Sequence, residues 1–261
     1  KSKTLNFPNI NPNAIEFFGI AIKWYGLAYA TGLLLGLWNC KRVIKFLPGN
    51  ISKKDIDNLL LWVAMGTIIG GRLGYVLFYN FEYYMVNPVI IFTGIRKGGM
   101  SFHGGLIGVI FFSFLYTKIN KLNFLQIMDS IACSAPIGIF LGRLANFINA
   151  ELWGKTSSLP WAIVFPGAGL IPRHPSQIYE ALLEGILLFY ILNYIAYKNI
   201  LKKHGVLSGI FLFLYGIFRI FSEVFREPDE HLGHIVSFLS MGTILSIPMI
   251  IIGITLIIKY K

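Results

Sequence analysis

The sequence predicts an all-α membrane protein, a polytopic bundle of about seven transmembrane helices that forms a single integral-membrane domain over residues 1–261. Three observations support this prediction. First, 55% of the residues are hydrophobic and only 13% are charged, whereas soluble domains carry about 25% charged residues. Second, seven apolar runs approach the ~20 residues that a helix needs to cross a bilayer. Third, positive charge is unequal between alternate loops.

The seven apolar runs give the predicted spans. Length and hydropathy define them, because a membrane helix is apolar on both its buried and its lipid-facing sides. The spans lie near residues 17–40, 56–82, 99–117, 124–148, 177–197, 206–224 and 235–258. The longest connection, residues 149–176, is the expected place for structure outside the membrane, and we call it the outer loop.

The loop charges orient the bundle. The loops after the first, third and fifth spans, together with the C-terminus, hold twelve Lys and Arg residues, and the opposite side holds seven. The more positive side is cytoplasmic in most membrane proteins. We therefore expect the N-terminus outside and the C-terminus in the cytoplasm. Because the net charge of +11 is distributed in this way, we also expect no nucleic-acid partner. We expect no cleavable signal peptide, because the stretch to Asn13 is polar and a full-length span follows.

The cysteines and most histidines suggest structural roles. Cys40 and Cys133 lie in different spans without metal-like spacing, which favours small apolar fillers over a disulfide. His174, between two prolines, suggests a turn that packs at the interface, and His204 is expected on a solvated loop.

A metal site is conceivable only in the loop that contains His231 and His234, and their spacing fits no common ligand pattern. We expect neither a metal nor a cofactor.

Four cations fall inside the predicted spans, where charge is costly: Lys23, Arg72, Arg143 and Arg219. A long side chain can snorkel to the interface, and for Lys23 this interpretation and a functional one both stand. Arg72 either binds a second lipid or braces the bundle. Polar neighbours favour a functional role for Arg143 and Arg219.

Counting along the spans places His103, Arg143 and Arg219 at one level in the outer half of the membrane. At the rise per residue of a helix, His103 lies about 6 Å below the outer surface, and Arg143 and Arg219 each lie about five residues below the same surface. Tyr25 and Tyr215 fall slightly deeper. The coincidence predicts a common polar cavity near the outer surface.

The residue types at this level suit a phospholipid headgroup. The fixed donor fork of arginine matches phosphate and stays charged, and a histidine such as His103 can accept a proton near neutral pH. Glu151 and Glu223 are near enough in sequence to orient or pair with Arg143 and Arg219. For Glu223, plain charge compensation explains the position equally well.

The stretch "GRLANFINAELWG" resembles the signature of the bacterial phosphatidylglycerol–prolipoprotein diacylglyceryl transferases. The matching residues are Gly142, Arg143, Asn146, Phe147, Asn149, Glu151 and Gly154. Ala145 and Ala150 stand where members often carry glycine, and Thr243 stands where many relatives have glutamine.

Further segments resemble this family in the right order, from about residue 15 to residue 258. They are "KWYGLAY", "GGRLGYVLFY", "GGMSFHGGLIG", "RHPSQIYEALLEG", "YGIFRIFSEVFREPD" and "SMGTILSIPM". One short match would be weak, whereas the ordered set is specific.

The resemblance implies an activity, a location and partners. Such enzymes transfer the diacylglyceryl group of phosphatidylglycerol to the lipobox cysteine thiol of preprolipoproteins, forming a thioether and releasing glycerol phosphate, as the first step of lipoprotein maturation. This occurs at the outer face of the bacterial cytoplasmic membrane. The implied partners are phosphatidylglycerol, signal peptides with a lipobox cysteine, and membrane lipids.

The residue chemistry and the resemblance together give a mechanistic hypothesis. His103 takes the thiol proton, directly or through oxygens of the lipid, and Arg143 and Arg219 stabilise the leaving phosphate. The expected substrate-binding residues are Arg143, Asn146, Glu151, Tyr25, Tyr215, Gly154 and Glu223. Among these, Gly154 is expected to set a turn or a close backbone approach rather than to take part in chemistry.

Two alternatives fit the composition. A different headgroup enzyme, such as a phosphatidyl transferase, would commonly carry paired aspartates for a metal, whereas Asp129 stands alone in its span. A phospholipid transporter or flippase without chemistry would spread charges along a path, whereas here they concentrate at one depth.

Overall fold

The computed structural model describes residues 5–8, 10–11, 13–17, 20–79, 81–94, 100–227 and 240–260. The chain divides into two compact units. Unit 1 contains Lys1–Pro48 and Asp129–Lys261, and unit 2 contains Gly49–Met128. The expectation of one integral-membrane domain stays a prediction.

Helices account for most of the described residues. In chain order the elements are β1 (Leu5–Asn6), β2 (Asn13–Phe17), β3 (Ile20–Lys23), α1 (Trp24–Val43), α2 (Lys53–Met65), π1 (Gly66–Gly70), α3 (Gly71–Tyr79), α4 (Phe81–Val86), α5 (Val89–Thr93), α6 (Phe102–Ile119), α7 (Phe124–Ile148), β4 (Ile163–Val164), α8 (Ser176–Glu180), π2 (Ala181–Leu187), α9 (Leu188–Tyr197), α10 (Val206–Glu223) and α11 (Met241–Tyr260), where π1 and π2 are π-helical segments.

Within the described ranges, five helices are long and apolar enough to cross a membrane. They are Lys53–Leu77, Phe124–Ile148, Ser176–Tyr197, Val206–Glu223 and Gly242–Tyr260. They match the second, fourth, fifth, sixth and seventh predicted spans, so the chain is a multi-pass membrane protein. Helices α1 and α6 occupy most of the other two predicted spans, and the count of seven stays a prediction.

The first predicted span, 17–40, begins too early. Residues Ile20–Lys23 form β3 and pair antiparallel with β2, and α1 begins only at Trp24. Hydropathy alone cannot separate a short apolar strand from the start of a membrane helix. Lys23 is exposed at the end of this hairpin, so it does not lie inside a helical span.

Polar side chains in unit 1 join three helices. The Asn39 amide on α1 donates to the Cys133 carbonyl and to Ser134 Oγ on α7, both at 3.1 Å, and to the Asn193 amide oxygen on α9. Internal bonds of this kind are required where no water is available. Cys40 and Cys133 are both free and buried, as expected of apolar fillers.

A buried carboxylate fixes the start of α10. Asp129 on α7 accepts backbone N–H bonds from Gly205 at 2.7 Å and from Ser208 at 2.8 Å, and a hydroxyl bond from Ser208 at 2.7 Å. The carboxylate satisfies orphan amides at a helix N-terminus, where negative charge is favourable. The neighbouring His204 is half-buried on the loop before α10, where Lys202 and Lys203 are exposed.

In unit 2, Arg72 holds two short elements together. Its guanidinium donates to the carbonyls of Ile91 at 2.8 Å and Ile90 at 2.9 Å, and its Cζ lies 5.1 Å from the centroid of the Tyr84 ring. The residue is only 4% exposed. Of the two interpretations of Arg72, these contacts favour the brace.

The outer loop has structure of its own. Strand β4 pairs in parallel with β1 near the N-terminus. The ring of Phe165 packs against Phe7, Phe147 and Trp153, with centroids 5.5, 6.0 and 6.2 Å apart. Because Phe147 belongs to the last turn of α7, the loop folds back onto the end of a membrane helix.

Candidate functional site

Arg143 and Arg219 converge on one carboxylate. Arg143 Nε on α7 lies 2.8 Å from Glu180 Oε2, and Arg219 Nη1 on α10 lies 3.2 Å from Glu180 Oε1. Helix α7 ends, α8 begins and α10 ends near this point, so the three residues share a level. The structure thus brings Arg143 and Arg219 together, and their common depth in the membrane stays a prediction.

A second carboxylate lies one turn further along the same continuous helix. Glu184 Oε2 is 3.4 Å from Arg143 Nη2, and Glu184 Oε1 is 3.9 Å from Arg219 Nη1. Glu180 closes α8, and Glu184 lies in the π-helical segment that follows. Such segments are frequent at functional sites.

The sequence-based prediction missed both glutamates. Only cations were recognised as charges inside the predicted spans. Glu180 and Glu184 appeared only within the family-like segment "RHPSQIYEALLEG". The signal was present, because two carboxylates four residues apart in an apolar segment face the same side of a helix and require partners.

Two more charges complete the group. Glu223 pairs with Arg219 one turn before it on α10, and Arg226 Nη1 lies 3.6 Å from Glu180 Oε1. Arg226 is only 7% exposed, although the sequence-based count placed it in a loop. We call Arg143, Glu180, Glu184, Arg219, Glu223 and Arg226 the ion-pair cluster, in which three positive residues face three negative ones.

Exposure differs between the two signs of charge in the ion-pair cluster. The side chains of Arg143 and Arg219 are 16% and 12% exposed, whereas those of Glu180 and Glu184 are 1% and 0% exposed. The central carboxylates therefore support the arginines from the buried side. An external anion can reach only the arginines.

A hydrogen-bonded group of side chains lies on the neighbouring elements. Glu151 Oε1 accepts from the Asn146 amide at 2.7 Å and from the Tyr25 hydroxyl, and the Asn146 amide also contacts the Tyr25 oxygen. Gln177 donates to the Glu151 carbonyl at 2.5 Å. Glu151 was expected to orient or pair with an arginine, and the structure instead joins it to Tyr25 and Asn146.

Tyr215 lies one turn before Arg219 on α10. It is 9% exposed, and its ring stacks on Phe211 with centroids 5.7 Å apart. The hydroxyl interacts electrostatically with Arg143, Arg219 and Glu184. The structure thus brings Tyr215 to the ion-pair cluster, as its predicted depth implies.

At Gly154, three backbone segments approach one another so closely that a side chain would not fit. The Gly154 N–H donates to the His174 carbonyl at 2.9 Å, and a Cβ at this position would lie 2.5 Å from the Phe225 carbonyl oxygen and 2.7 Å from the His174 carbonyl oxygen. The expected structural role of Gly154 is confirmed.

His174 packs between rings at the start of α8. Its Nδ1 lies 3.1 Å from the Tyr179 hydroxyl, and its ring meets Phe225 with centroids 5.2 Å apart. Partial burial, together with the positive charge of Lys155, lowers the pKa of His174 below its usual 6.5. The expected packing role is confirmed.

His103 stays a prediction. It belongs to the first turn of α6, where Ser101 Oγ accepts the Gly104 N–H at 3.2 Å, but its side chain lies outside the described residues. The adjacent Gly104 packs directly on the backbone of Gly70 and Gly74, so helix packing explains that glycine.

Thr243 lies in the first turn of α11, which Ser240 caps. The Thr243 N–H donates to Ser240 Oγ at 3.2 Å, and the two hydroxyls lie 3.1 Å apart. His231 and His234 lie outside the described residues. Over the ranges that the structure does describe, no three His, Cys, Asp or Glu side chains are arranged to hold a metal ion.

Comparison with known proteins gives a family match over nearly the whole chain. The model for "Prolipoprotein diacylglyceryl transferase" matches residues 12–259. Relatives named phosphatidylglycerol–prolipoprotein diacylglyceryl transferase include one from Allorhizobium ampelinum, 48% identical over 95% of this chain and 89% of its own length. Those from Rhodospirillum centenum and Rickettsia felis are each 47% identical, over 97% and 95% of this chain and 92% and 96% of their own lengths.

Proposed function

The chain belongs to the prolipoprotein diacylglyceryl transferase family, and we propose that it moves the diacylglyceryl group of phosphatidylglycerol onto the lipobox cysteine of a preprolipoprotein. It is an enzyme of the membrane, and its reaction is the first step of bacterial lipoprotein maturation. The observation that carries the site assignment is the ion-pair cluster, whose arginines are partly exposed and whose central carboxylates are buried.

The arginines bind the lipid phosphate. Arg143 and Arg219 come from two helices and meet at Glu180, so one phosphate can contact both guanidinium groups. Charge grows on this phosphate as the reaction proceeds, and fixed donors in a low-dielectric site stabilise it without reorganising. Glu180 and Glu184 position the two arginines and balance their charge while no lipid is bound.

The reaction forms one bond and breaks one. A cysteine thiol, with an ordinary pKa of about 8.5, attacks well only after losing its proton. His103 accepts that proton, directly or through oxygens of the lipid. The thiolate sulfur then attacks the carbon of the diacylglyceryl group that is esterified to the phosphate, the bond between this carbon and the phosphate oxygen breaks, and its electron pair leaves with glycerol phosphate. The product is a thioether.

The remaining polar residues bind the headgroup. Tyr25, Asn146 and Glu151 form one hydrogen-bonded set, which suits recognition of the free glycerol hydroxyls. Tyr215 lies beside the arginines and donates toward the phosphate. Glu223 pairs with Arg219 and positions its guanidinium. Gly154 allows the close backbone packing of the segment that contains Glu151.

We place this site at the outer face of the cytoplasmic membrane. The support is the excess of positive residues on the opposite side, twelve against seven. The topology has seven spans, with the N-terminus outside and the C-terminus in the cytoplasm. The enzyme thereby meets signal peptides whose lipobox cysteine has just crossed the membrane.

A transfer assay tests the proposal. Purified protein is incubated with phosphatidylglycerol and a fluorescent lipobox peptide, and both the mobility shift of the peptide and the release of glycerol phosphate are followed. We expect both signals with the cysteine peptide and neither with a Cys→Ser peptide. The absence of a shift with either peptide contradicts the transferase assignment.

Variants test the individual roles. Arg219→Gln should abolish the shift, whereas Arg42→Gln, at an exposed arginine of α1, is the matched control and should retain it. His103→Gln should remove transfer while phosphatidylglycerol binding persists. Transfer by His103→Gln at the wild-type rate would show that another group is the base.

A further inference from the structure

The middle of the outer loop is free of charge in a strongly cationic chain. Residues 156–172 contain no Asp, Glu, Lys, Arg or His, and Lys155 and Arg173 bound them on either side. Surface loops of soluble regions carry charges of both signs. An uncharged stretch of this length is the pattern of a segment that enters the membrane interface. Its basic ends are held by the protein itself, because Lys155 Nζ donates to the Val224 carbonyl at 2.8 Å and Arg173 Nη1 lies 2.9 Å from Glu227 Oε2.

This stretch turns large apolar side chains outward. Leu159 is 40%, Trp161 50%, Leu170 91% and Ile171 59% exposed. The same stretch buries Phe165 to 1% exposure, so it has a core of its own and still presents a second apolar set. We call Leu159, Trp161, Leu170 and Ile171 the apolar loop surface. Contiguous exposed apolar surface generally marks a site of interaction.

Contacts with two spans place this surface at membrane level. Trp161 Nε1 donates to the Tyr179 hydroxyl at 2.8 Å, and Tyr179 lies in the first turn of the span Ser176–Tyr197. Phe165 packs on Phe147, in the last turn of the span Phe124–Ile148. A tryptophan with its N–H bonded and its ring exposed beside the end of a span is typical of the interfacial aromatic belt.

The tip of the loop also suits lipid. Gly167 and Gly169 both have φ of +84°, which glycine adopts without strain. The turn that they make leaves the adjacent Leu170 with almost all of its surface free. A groove that binds a peptide would enclose such a side chain on several sides, whereas acyl chains surround it only after insertion.

We propose that the apolar loop surface inserts into the bilayer at the boundary between headgroups and acyl chains, on the membrane face where the ion-pair cluster lies. The occupant of this surface is phospholipid. The insertion holds the segment next to Gly154 and Glu151 against the membrane, so that a lipid moving toward Arg143 remains within the bilayer. The inference goes beyond the transfer reaction and does not depend on which face is external.

Site-directed fluorescence tests the insertion without any turnover. The full chain carrying Leu170→Cys is labelled with bimane and placed in nanodiscs of phosphatidylglycerol and phosphatidylethanolamine, with or without lipid spin-labelled near the top of the acyl chain. Lys202→Cys, at an exposed lysine of a charged loop, is the matched control. Cys40 and Cys133 are buried, and the unsubstituted chain measures their background labelling.

We expect spin-labelled lipid to quench the label at position 170 about twofold or more above the label at position 202, because interfacial segments sit about 5–10 Å into this boundary. Aqueous iodide should show the reverse order. Equal lipid quenching at the two positions overturns the proposal. A second outcome also overturns the proposal: lipid does not quench the label at position 170, and iodide is excluded from it only when a lipobox peptide is added. That outcome would assign the apolar loop surface to the peptide. Because no transfer is measured, an inactive enzyme would leave this result unaffected.

Discussion

Two arginine sites in this protein are satisfied in different ways. In unit 2, Arg72 donates to the carbonyls of Ile90 and Ile91 and lies over the Tyr84 ring. In unit 1, Arg143 and Arg219 face the carboxylates of Glu180 and Glu184. Both kinds of site occur in a chain that crosses the membrane, where an unpaired charge is costly.

The difference distinguishes the brace that we assign to Arg72 from the binding site that we propose at Arg143 and Arg219. Arg72 donates to neutral carbonyls and lies over a ring face, and these contacts hold short elements of unit 2 together. Carboxylates hold Arg143 and Arg219 by charge, and an incoming phosphate can share the same donors because it carries the same sign. A buried arginine whose partners are charged is therefore a candidate anion site, and one whose partners are carbonyls is a structural element.

The largest expected effect contrasts Arg143 with Arg72. Arg143→Gln should reduce transfer by about 10²- to 10³-fold, the usual loss when one donor to a developing oxyanion is removed. Arg72→Gln should leave the activity per folded molecule close to wild type. Initial rates with the lipobox peptide, normalised to the folded fraction from gel filtration, measure both. A comparable loss of rate in the two variants would erase the distinction.

The next effect concerns the carboxylates behind the arginines. Glu180→Gln should lower the free energy of unfolding by about 3 kcal/mol, because it leaves buried arginines without their shared partner. Glu223→Gln should cost less, about 1 kcal/mol, because Glu180 and Glu184 still compensate Arg219. Thermal unfolding in one detergent compares them. A larger loss in Glu223→Gln would mean that Glu180 is not the centre of the cluster.

A smaller effect sharpens the role of the brace. Arg72→Leu removes the hydrogen bonds that the guanidinium donates to the Ile90 and Ile91 carbonyls. Each is of a kind that contributes about 1.5–3 kcal/mol, and the apolar replacement recovers part of this by burial. The melting temperature should fall by several degrees with unchanged KM for phosphatidylglycerol. An increase in KM would show that Arg72 contacts the lipid after all.

The smallest effect is a pH dependence, for which the arginines are poor candidates because they keep their charge at ordinary pH. His174 beside α8 has a pKa lowered by burial and by Lys155. Its neutral form is favoured in the folded state, so its contribution to stability is complete above about pH 6.5 and is lost as the pH falls toward the folded pKa. The melting temperature should therefore be lower at pH 5.5 than at pH 7.5.

The His174→Gln variant is the control for that measurement. Its melting temperature should depend less on pH over the same range, because glutamine does not titrate. If the two proteins lose equal stability between pH 7.5 and 5.5, His174 is not the group responsible.

Several features of this structure follow from residue pattern alone. Hydropathy located five spans correctly, and counting residues inward placed Arg143 and Arg219 at one depth, because helical rise is constant. The match at residues 142–154 identified the family. These inferences depend on properties local to one segment, which a sequence contains in full.

Partners were harder to predict, since they depend on which helices are neighbours. Glu151 was expected near an arginine and instead bonds Tyr25, more than a hundred residues earlier. Glu180 was overlooked because its role appears only when α7, α8 and α10 meet. The β2–β3 hairpin was taken for helix because an apolar strand and the start of a span have similar hydropathy.

The carboxylate of Asp129 has a consequence far from its own position. By binding the amides of Gly205 and Ser208, it determines the residue at which α10 begins. Arg219 lies about 20 Å further along that helix at the usual rise. The position of the proposed phosphate site is thus set by a length of helix measured from its opposite end. A one-residue insertion between Ser208 and Arg219 would shift and rotate the guanidinium away from Glu180 while leaving every residue of the ion-pair cluster in the chain.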